Sequence, residues 1–398
     1  MAKLLGRFPV AFGDFQLAKG SGDGALQPPM VRVFYPSAAQ RQSKKCRWLP
    51  GVAYAFGYLC NMARPKTAMR RAMLWIFAGV FYAMLWPGAV IAAAAAQPIL
   101  VEDGEERFPV VVFSHGLWAC RATYSTLCSD LASYGYIVVA PEHLDGSASI
   151  ASYIDNKGSE RWIEHKYANS NLHDLKMKDR GMQLKQRVKE IELVLHGLDE
   201  LNNGSISSNL VTGDYSLDVT MFKGRMDLDR IAIAGHSFGG ATAIIAPGAI
   251  TTRFKCSLGL DVWWEPVEKV DYEKVSGHVP VLLLNTENFD WKALKEARLV
   301  YLNARAGTKT KDGQSLETKL LTIKHTEHQD QSDFPLFLTM MSKKLKLSGD
   351  LDVQLAKDIN SRACLAFLQN HMLASGKRYP SSFRPVESDN EFLVGASI

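Results

Sequence analysis

Ile231 to Gly240 read IAIAGHSFGG. An apolar run enters a glycine, a histidine and Ser237, and two glycines follow. This G-x-S-x-G pattern turns a buried strand sharply into a helix and lifts the serine hydroxyl above the sheet edge. Gly235 and Gly239 are required because side chains there would collide with the neighbouring strand and helix. A serine hydroxyl attacks a carbonyl only when a base takes its proton. Histidine suits that task near neutral pH, and a buried carboxylate can hold its ring and stabilise the imidazolium. Two histidines, His325 and His328, follow the last apolar strand of the chain. His328 is preferred because it lies deeper in the loop, beside Gln329 and ahead of the helix at Phe334. For the acid, Asp261 follows the strand after the serine, and Glu287 and Asp290 follow the next one. Position alone does not choose among them. Asp261 ends the apolar run from Leu258 and precedes Val262, Trp263 and Trp264, a dry setting in which a charge needs a partner. Glu265, Glu287 and Asp290 read as surface or pocket-rim charges. Two backbone N–H groups must meet the oxyanion. Phe238 supplies one, and Leu117, in the loop after an earlier buried strand, supplies the other.

The elements that position these groups alternate. Apolar runs at Val110–Ser114, Tyr136–Ala140, Phe254–Leu260, Val279–Asn285 and Lys319–Ile323 read as buried parallel strands. Met30–Tyr35 reads as a further strand. Helical spacing places Leu184, Val188, Ile191, Leu195 and Leu198 on one face, and helices are expected near 123–134, 334–346 and 353–371. Residues 37–50 and 146–178 read as polar loops, and 304–317 as a polar insertion. Strand–helix alternation with the chain order serine, acid, histidine is that of an α/β-hydrolase: a mostly parallel central sheet with helices on both faces, in one catalytic domain over residues 1–398. The tail from 379 to 398 is expected to be flexible.

At 398 residues and 47% hydrophobic, the chain has ample material for one core. A net charge of +5 without a dense basic block excludes a nucleic-acid binder. The six cysteines show no C-x-x-C spacing, and no zinc or calcium loop spacing is present. Neither a metal nor a cofactor is expected. The N-terminus has too short an apolar run for a signal peptide, Ala2 excludes N-myristoylation, and the C-terminal residues are no prenylation box. These features favour a reduced, cytoplasmic setting. The stretch 72–97 carries no charge, and Arg64, Lys66, Arg70 and Arg71 precede it. Length alone allows a membrane span. Pro87-Gly88 interrupts it, however, and strands of one sheet lie on both sides of it. Residues 60–97 are therefore expected to form an apolar helical segment that lies on a lipid interface with its basic flank toward anionic headgroups, in preference to a buried core helix or a span.

Several local patterns now act together: GHSFGG at 235–240, His115-Gly116-Leu117, Glu142-His143 with Asp145, Ser147 and Ala148, Leu260-Asp261 with a tryptophan nearby, His328-Gln329, LKLSGD at 345–350 and CLAFLQ at 364–369. With these the chain resembles the platelet-activating-factor acetylhydrolase family, well over 105–375 and loosely over 1–100. The resemblance implies Ser237 as nucleophile, Asp261 as acid and His328 as base, with oxyanion donors at the amides of Leu117 and Phe238. It implies calcium-independent cleavage of short or oxidised sn-2 acyl chains from phospholipids at a lipid surface, and peripheral membrane or lipoprotein-like docking through apolar helices. Trp118 departs from the glycine usual in that family and is expected to reshape the acyl pocket. A general carboxylesterase or polyester hydrolase on the same fold, and a non-catalytic membrane-associated shell, are the competing readings.

Overall fold

The computed structural model describes residues 4–17, 25–38, 46–85, 88–101, 107–167, 173–206, 217–250, 253–268, 279–306, 316–373 and 392–397. In chain order the strands are β1 (Val10–Gln16), β2 (Met30–Pro36), β3 (Cys46–Arg47), β4 (Val90–Ile91), β5 (Ala94–Ala95), β6 (Phe108–Ser114), β7 (Ile137–Pro141), β8 (Ile150–Ile154), β9 (Glu160–Glu164), β10 (Met226–His236), β11 (Phe254–Leu260), β12 (Val281–Thr286), β13 (Thr318–Ile323) and β14 (Leu393–Ser397). The helices are α1 (Val52–Ala63), α2 (Ala68–Leu85), α3 (Ser125–Ser133), α4 (His173–Asn203), α5 (Phe238–Ala249), α6 (Lys292–Arg305), α7 (Phe334–Phe337), α8 (Thr339–Lys344) and α9 (Val353–Met372).

Ten strands form one sheet in the order β14-β13-β12-β11-β10-β6-β7-β2-β1-β5. From β13 to β7 every pairing is parallel. β2 joins β7 antiparallel, β1 joins β2 antiparallel, and β14 closes the other edge antiparallel to β13. Strand residues alternate between faces, so each strand feeds two cores. Val111, Phe113, Val138, Ala232, Leu258 and Leu282 pack with α3 and α9 on one face. Val110, Val112, Val139, Ile231 and Ile233 pack with Ile191, Val194 and Leu198 of α4 on the other. A third cluster joins α5 and α6 to Val281 and Leu283. This is the α/β-hydrolase arrangement, and it brings the C-terminal ends of β6, β10, β11 and β12 side by side.

The structure corrects three local expectations. The apolar stretch 72–97 is not one helix: α2 ends at Leu85, and the small residues beyond Gly88 form β4, against Cys46–Arg47, and β5, parallel to β1. The alanine-rich run has neither period, so its sequence does not announce strands; its buried edge position makes them. The proline of the expected break, Pro87, lies outside the described residues. The supposed loop 146–178 contains the β8–β9 hairpin. Finally, Leu393–Ser397 is a sheet strand, not flexible tail. The tail residues 379–391, and 307–315 of the polar insertion, also lie outside the described residues.

Candidate active site

Ser237 sits between β10 and α5 with φ 57° and ψ −117°, a left-handed conformation that a side chain rarely adopts. Three backbone bonds hold it there: Ser237 N–H to Leu260 O at 2.8 Å, and Ser237 O accepting from Ala241 N–H and Trp263 N–H, both at 3.1 Å. The glycines answer to contact. A Cβ on Gly235 would lie 2.1 Å from Gly239 O, and one on Gly239 would lie 2.0 Å from Ser114 O. Ser237 keeps 9% of its surface where His236 and Phe238 keep 1% and 0%, so the turn presents the serine and hides its neighbours.

Asp261 directly follows β11, also at positive φ (42°), with its side chain wholly buried. His328 opens a short 3-10 turn (His328–Gln331) after β13 and donates Nδ1–H to Asp261 Oδ2 at 3.0 Å. Thr286, the last residue of β12, gives the carboxylate two more donors, its N–H to Oδ1 at 2.6 Å and its hydroxyl to Oδ2 at 2.5 Å. The His328 ring stacks on Phe289 with centroids 3.7 Å apart and planes at 15°. Burial pushes Asp261 up to about 7, against the Thr286 donors, and pulls His328 down to about 3. Each ion is uncomfortable alone in this setting. An imidazolium formed on His328 is therefore stabilised chiefly by the carboxylate it already touches.

His236 ties nucleophile and base together. Its Nε2–H donates to His328 O at 3.1 Å, so its Nδ1 accepts the Tyr124 hydroxyl proton at 2.8 Å. The same Tyr124 oxygen accepts Gly116 N–H at 3.2 Å, in the loop that carries Leu117. A Cβ on Gly116 would approach the Ser237 Cβ to 3.4 Å, so this loop lies against the nucleophile. Phe238 is the first residue of α5, where an N–H has no helical carbonyl to bind and is available to an oxyanion. Trp118, at φ 62°, turns its indole N–H to His165 Nε2 at 2.7 Å, beside this loop.

The alternatives fall elsewhere. His325 is largely exposed beside Glu287 at 3.9 Å. Asp290 pairs with Arg298 and Lys295, and Glu265 accepts from the Trp263 indole. Side-chain ligand atoms of His236, Asp261 and His328 lie within 4.8 Å of one another. Both His236 nitrogens and His328 Nδ1 are already committed to the bonds above, so this set fits a proton path better than an ion. Thr286, Tyr124, His236 and Phe289 had no role in the sequence reading. Thr286 had a usable signal: a polar pair, Asn285-Thr286, ending an otherwise apolar strand.

This fold and site define an ester hydrolase of the α/β-hydrolase class. A ferulic acid esterase from Streptomyces cinnamoneus superposes with a TM-score of 0.63, covering 99% of this chain and 98% of that one at 20% identity, a likeness of fold. The family model described as platelet-activating factor acetylhydrolase, isoform II, matches residues 2–381, and the chain belongs to that family. The platelet-activating factor acetylhydrolase of Canis lupus familiaris is 32% identical over 86% of this chain and 71% of its own length. That of Gallus gallus is 30% identical over 92% and 83%. A putative phospholipase A2 of Schizosaccharomyces pombe (strain 972 / ATCC 24843) is 29% identical over 70% and 72%.

Proposed function

We propose that the chain cleaves short or oxidised sn-2 acyl esters of phospholipids, without calcium, through an acyl-enzyme on Ser237. The observation that carries this reading is the Thr286–Asp261–His328 chain of hydrogen bonds ending beside the Ser237 turn. His328 Nε2 takes the Ser237 proton as Oγ attacks the sn-2 carbonyl. The oxyanion rests on the amides of Leu117 and Phe238. His328 then gives its proton to the leaving lysophospholipid oxygen. Water, deprotonated by His328, attacks the acyl-serine and releases the acid. Losing one oxyanion donor from such a site costs about 100- to 1,000-fold in turnover.

Docking on a lipid surface belongs to the same proposal. α2 has a single buried residue, Ala78, and exposes Met69, Met73, Ile76, Phe77, Val80 and Met84. Its other stripe rests on the domain, with Trp75 stacked on Phe56 at 4.3 Å. An amphipathic attachment of this kind, with Arg64, Lys66 and Arg70 at its start, suits a helix lying in a headgroup layer. Membership in the acetylhydrolase family supports the substrate class.

The test is hydrolysis of matched phosphatidylcholines carrying sn-2 acetyl or sn-2 oleoyl, in EDTA, by the wild type and Ser237→Ala. Hydrolysis of the acetyl lipid alone, lost in the variant, is expected. Hydrolysis of soluble p-nitrophenyl esters but of neither lipid would move the function to a general carboxylesterase.

A further inference from the structure

Arg187, in the middle of α4, is wholly buried behind the active site. A guanidinium is costly to bury, and here nearly every donor is used. Nε donates to Asp145 Oδ2 and Ser147 Oγ, both at 3.1 Å. Nη2 donates to Ser147 Oγ at 2.6 Å. Nη1 donates to the backbone oxygen of His115 at 2.6 Å and, at 3.5 Å, to Ser114 Oγ. The flat face lies 4.4 Å from the centre of the Phe238 ring. One side chain thus grips the backbone just before Leu117 and the ring of Phe238, the two residues whose amides face the oxyanion.

We propose that Arg187 is a positioning residue that sets both arms of the oxyanion hole together. The proposal rests on the assignment of Leu117 and Phe238 as the donors. The His115 carbonyl belongs to the peptide immediately before the one that carries Leu117 N–H. Pinning it limits rotation of the donor peptide. The stacked ring fixes Phe238 at the start of α5. Asp145 balances the charge, and its other oxygen accepts the Ser147 N–H at 2.9 Å and the Ser147 hydroxyl. One turn along α4, Glu190 holds His143 Nδ1 at 2.7 Å, and His143 Nε2 meets Ser114 Oγ at 2.8 Å. The end of β6 is therefore held from α4 at two points. A lysine keeps the charge at 187 but offers neither the planar fork nor the stacking face. A donor displaced by about 1 Å costs on the order of 100-fold in rate.

The experiment measures kcat and KM of Arg187→Lys and Arg187→Met on a soluble p-nitrophenyl ester. Rates are expressed per active site titrated to completion with a fluorophosphonate. Titration separates a smaller folded fraction, which leaves the rate per site unchanged, from a misaligned oxyanion hole, which lowers it. The expected result is a fall of about 10- to 100-fold in kcat per titrated site with KM within about threefold, smaller for lysine than for methionine. Wild-type kcat per site in both variants would overturn the proposal. If neither variant folds, Ser147→Ala decides. It removes one anchor of the guanidinium, and an unchanged kcat per site there overturns the proposal equally. The reading beneath the proposal is tested apart, in the wild type. Titration that fails to modify Ser237 would sink Ser237 as the nucleophile, and the oxyanion hole built around it, whatever the Arg187 variants do.

Discussion

At the scale of single residues, the site works by pairing each buried charge with donors that outlast the reaction. Asp261 has three, and the two from Thr286 do not depend on His328. Thr286→Val removes the hydroxyl and keeps the shape. A hydrogen bond to a carboxylate is worth about 1.5–3 kcal/mol, so kcat is expected to fall by roughly tenfold or more with KM little changed. Steady-state kinetics on a soluble ester checks this, and an unchanged kcat would remove Thr286 from the account. Far from the chemistry, Asp14 on β1 accepts from Arg32 Nε at 2.7 Å and from Arg121 at 3.4 Å. Burial raises its carboxyl, but Arg121 and Arg32 outweigh it and bring the value down to about 2. A folded value below the ordinary 3.8 means stability that is present above that pH and lost as the pH falls toward 2. Asp14→Asn is therefore expected to lower stability at pH 7, by about 3–5 kcal/mol since it strands a buried guanidinium. The gap from wild type should narrow below pH 4. Denaturant unfolding at several pH values reads this directly, and a gap independent of pH would contradict it.

At the scale of elements, the β10–α5 turn admits no side chain at its glycines. Gly239→Ala places a Cβ 2.0 Å from Ser114 O, a backbone atom of β6 that cannot swing away. Separation of β6 from α5 is the only relief, and that moves the Gly116–Leu117 loop off Ser237. Overpacking of this kind costs about 1–3 kcal/mol or more. The variant is expected to lose stability and fluorophosphonate labelling together, as thermal unfolding and labelling rate would show. A stable, fully labelled Gly239→Ala would mean that the turn is looser than described. The same elements show what sequence makes legible. The GHSFGG string, the apolar strands leading to Asp261 and Thr286, and the period of α4 from Leu184 to Leu198 are local patterns, and they place the nucleophile and most of the sheet. The pairing of His236 with the His328 backbone joins residues 92 positions apart, and no local period encodes it. Arg187 has a partial signal: it lies three residues after Leu184 and four before Ile191, at the edge of the apolar face of α4. The groups it holds come from distant segments, and only the packed structure shows them. Position alone leaves the acid open between Asp261, Glu287 and Asp290, because all three follow strand ends; the apolar run around Asp261 favours it, and burial and hydrogen bonding separate it from the other two.

At the scale of the whole molecule, the exposed stripe of α2 is the feature that the folded domain does not itself explain. Ile76 and Phe77 are 71% and 60% exposed. Ile76→Glu with Phe77→Glu is expected to reduce binding to vesicles of phosphatidylcholine and phosphatidylserine by at least about tenfold, since each side chain contributes about 1.5–3 kcal/mol when fully buried. Turnover of a soluble ester should not change. Vesicle flotation with parallel kinetics measures both, and undiminished binding would remove α2 from lipid docking. The sequence makes the apolar character of this region plain but not its form, since most of α2 shares one uncharged run with β4 and β5.

The central claim, that Ser237 carries the acyl group during turnover, is tested most directly by trapping it. The enzyme is mixed with an sn-2 acetyl phosphatidylcholine, quenched in acid within the first turnover, digested and mapped by mass spectrometry. One acetyl group on the peptide containing Ser237, absent in Ser237→Ala, is the expected result. Turnover by Ser237→Ala at the wild-type rate, or an acetyl group on another residue in place of Ser237, would contradict the account.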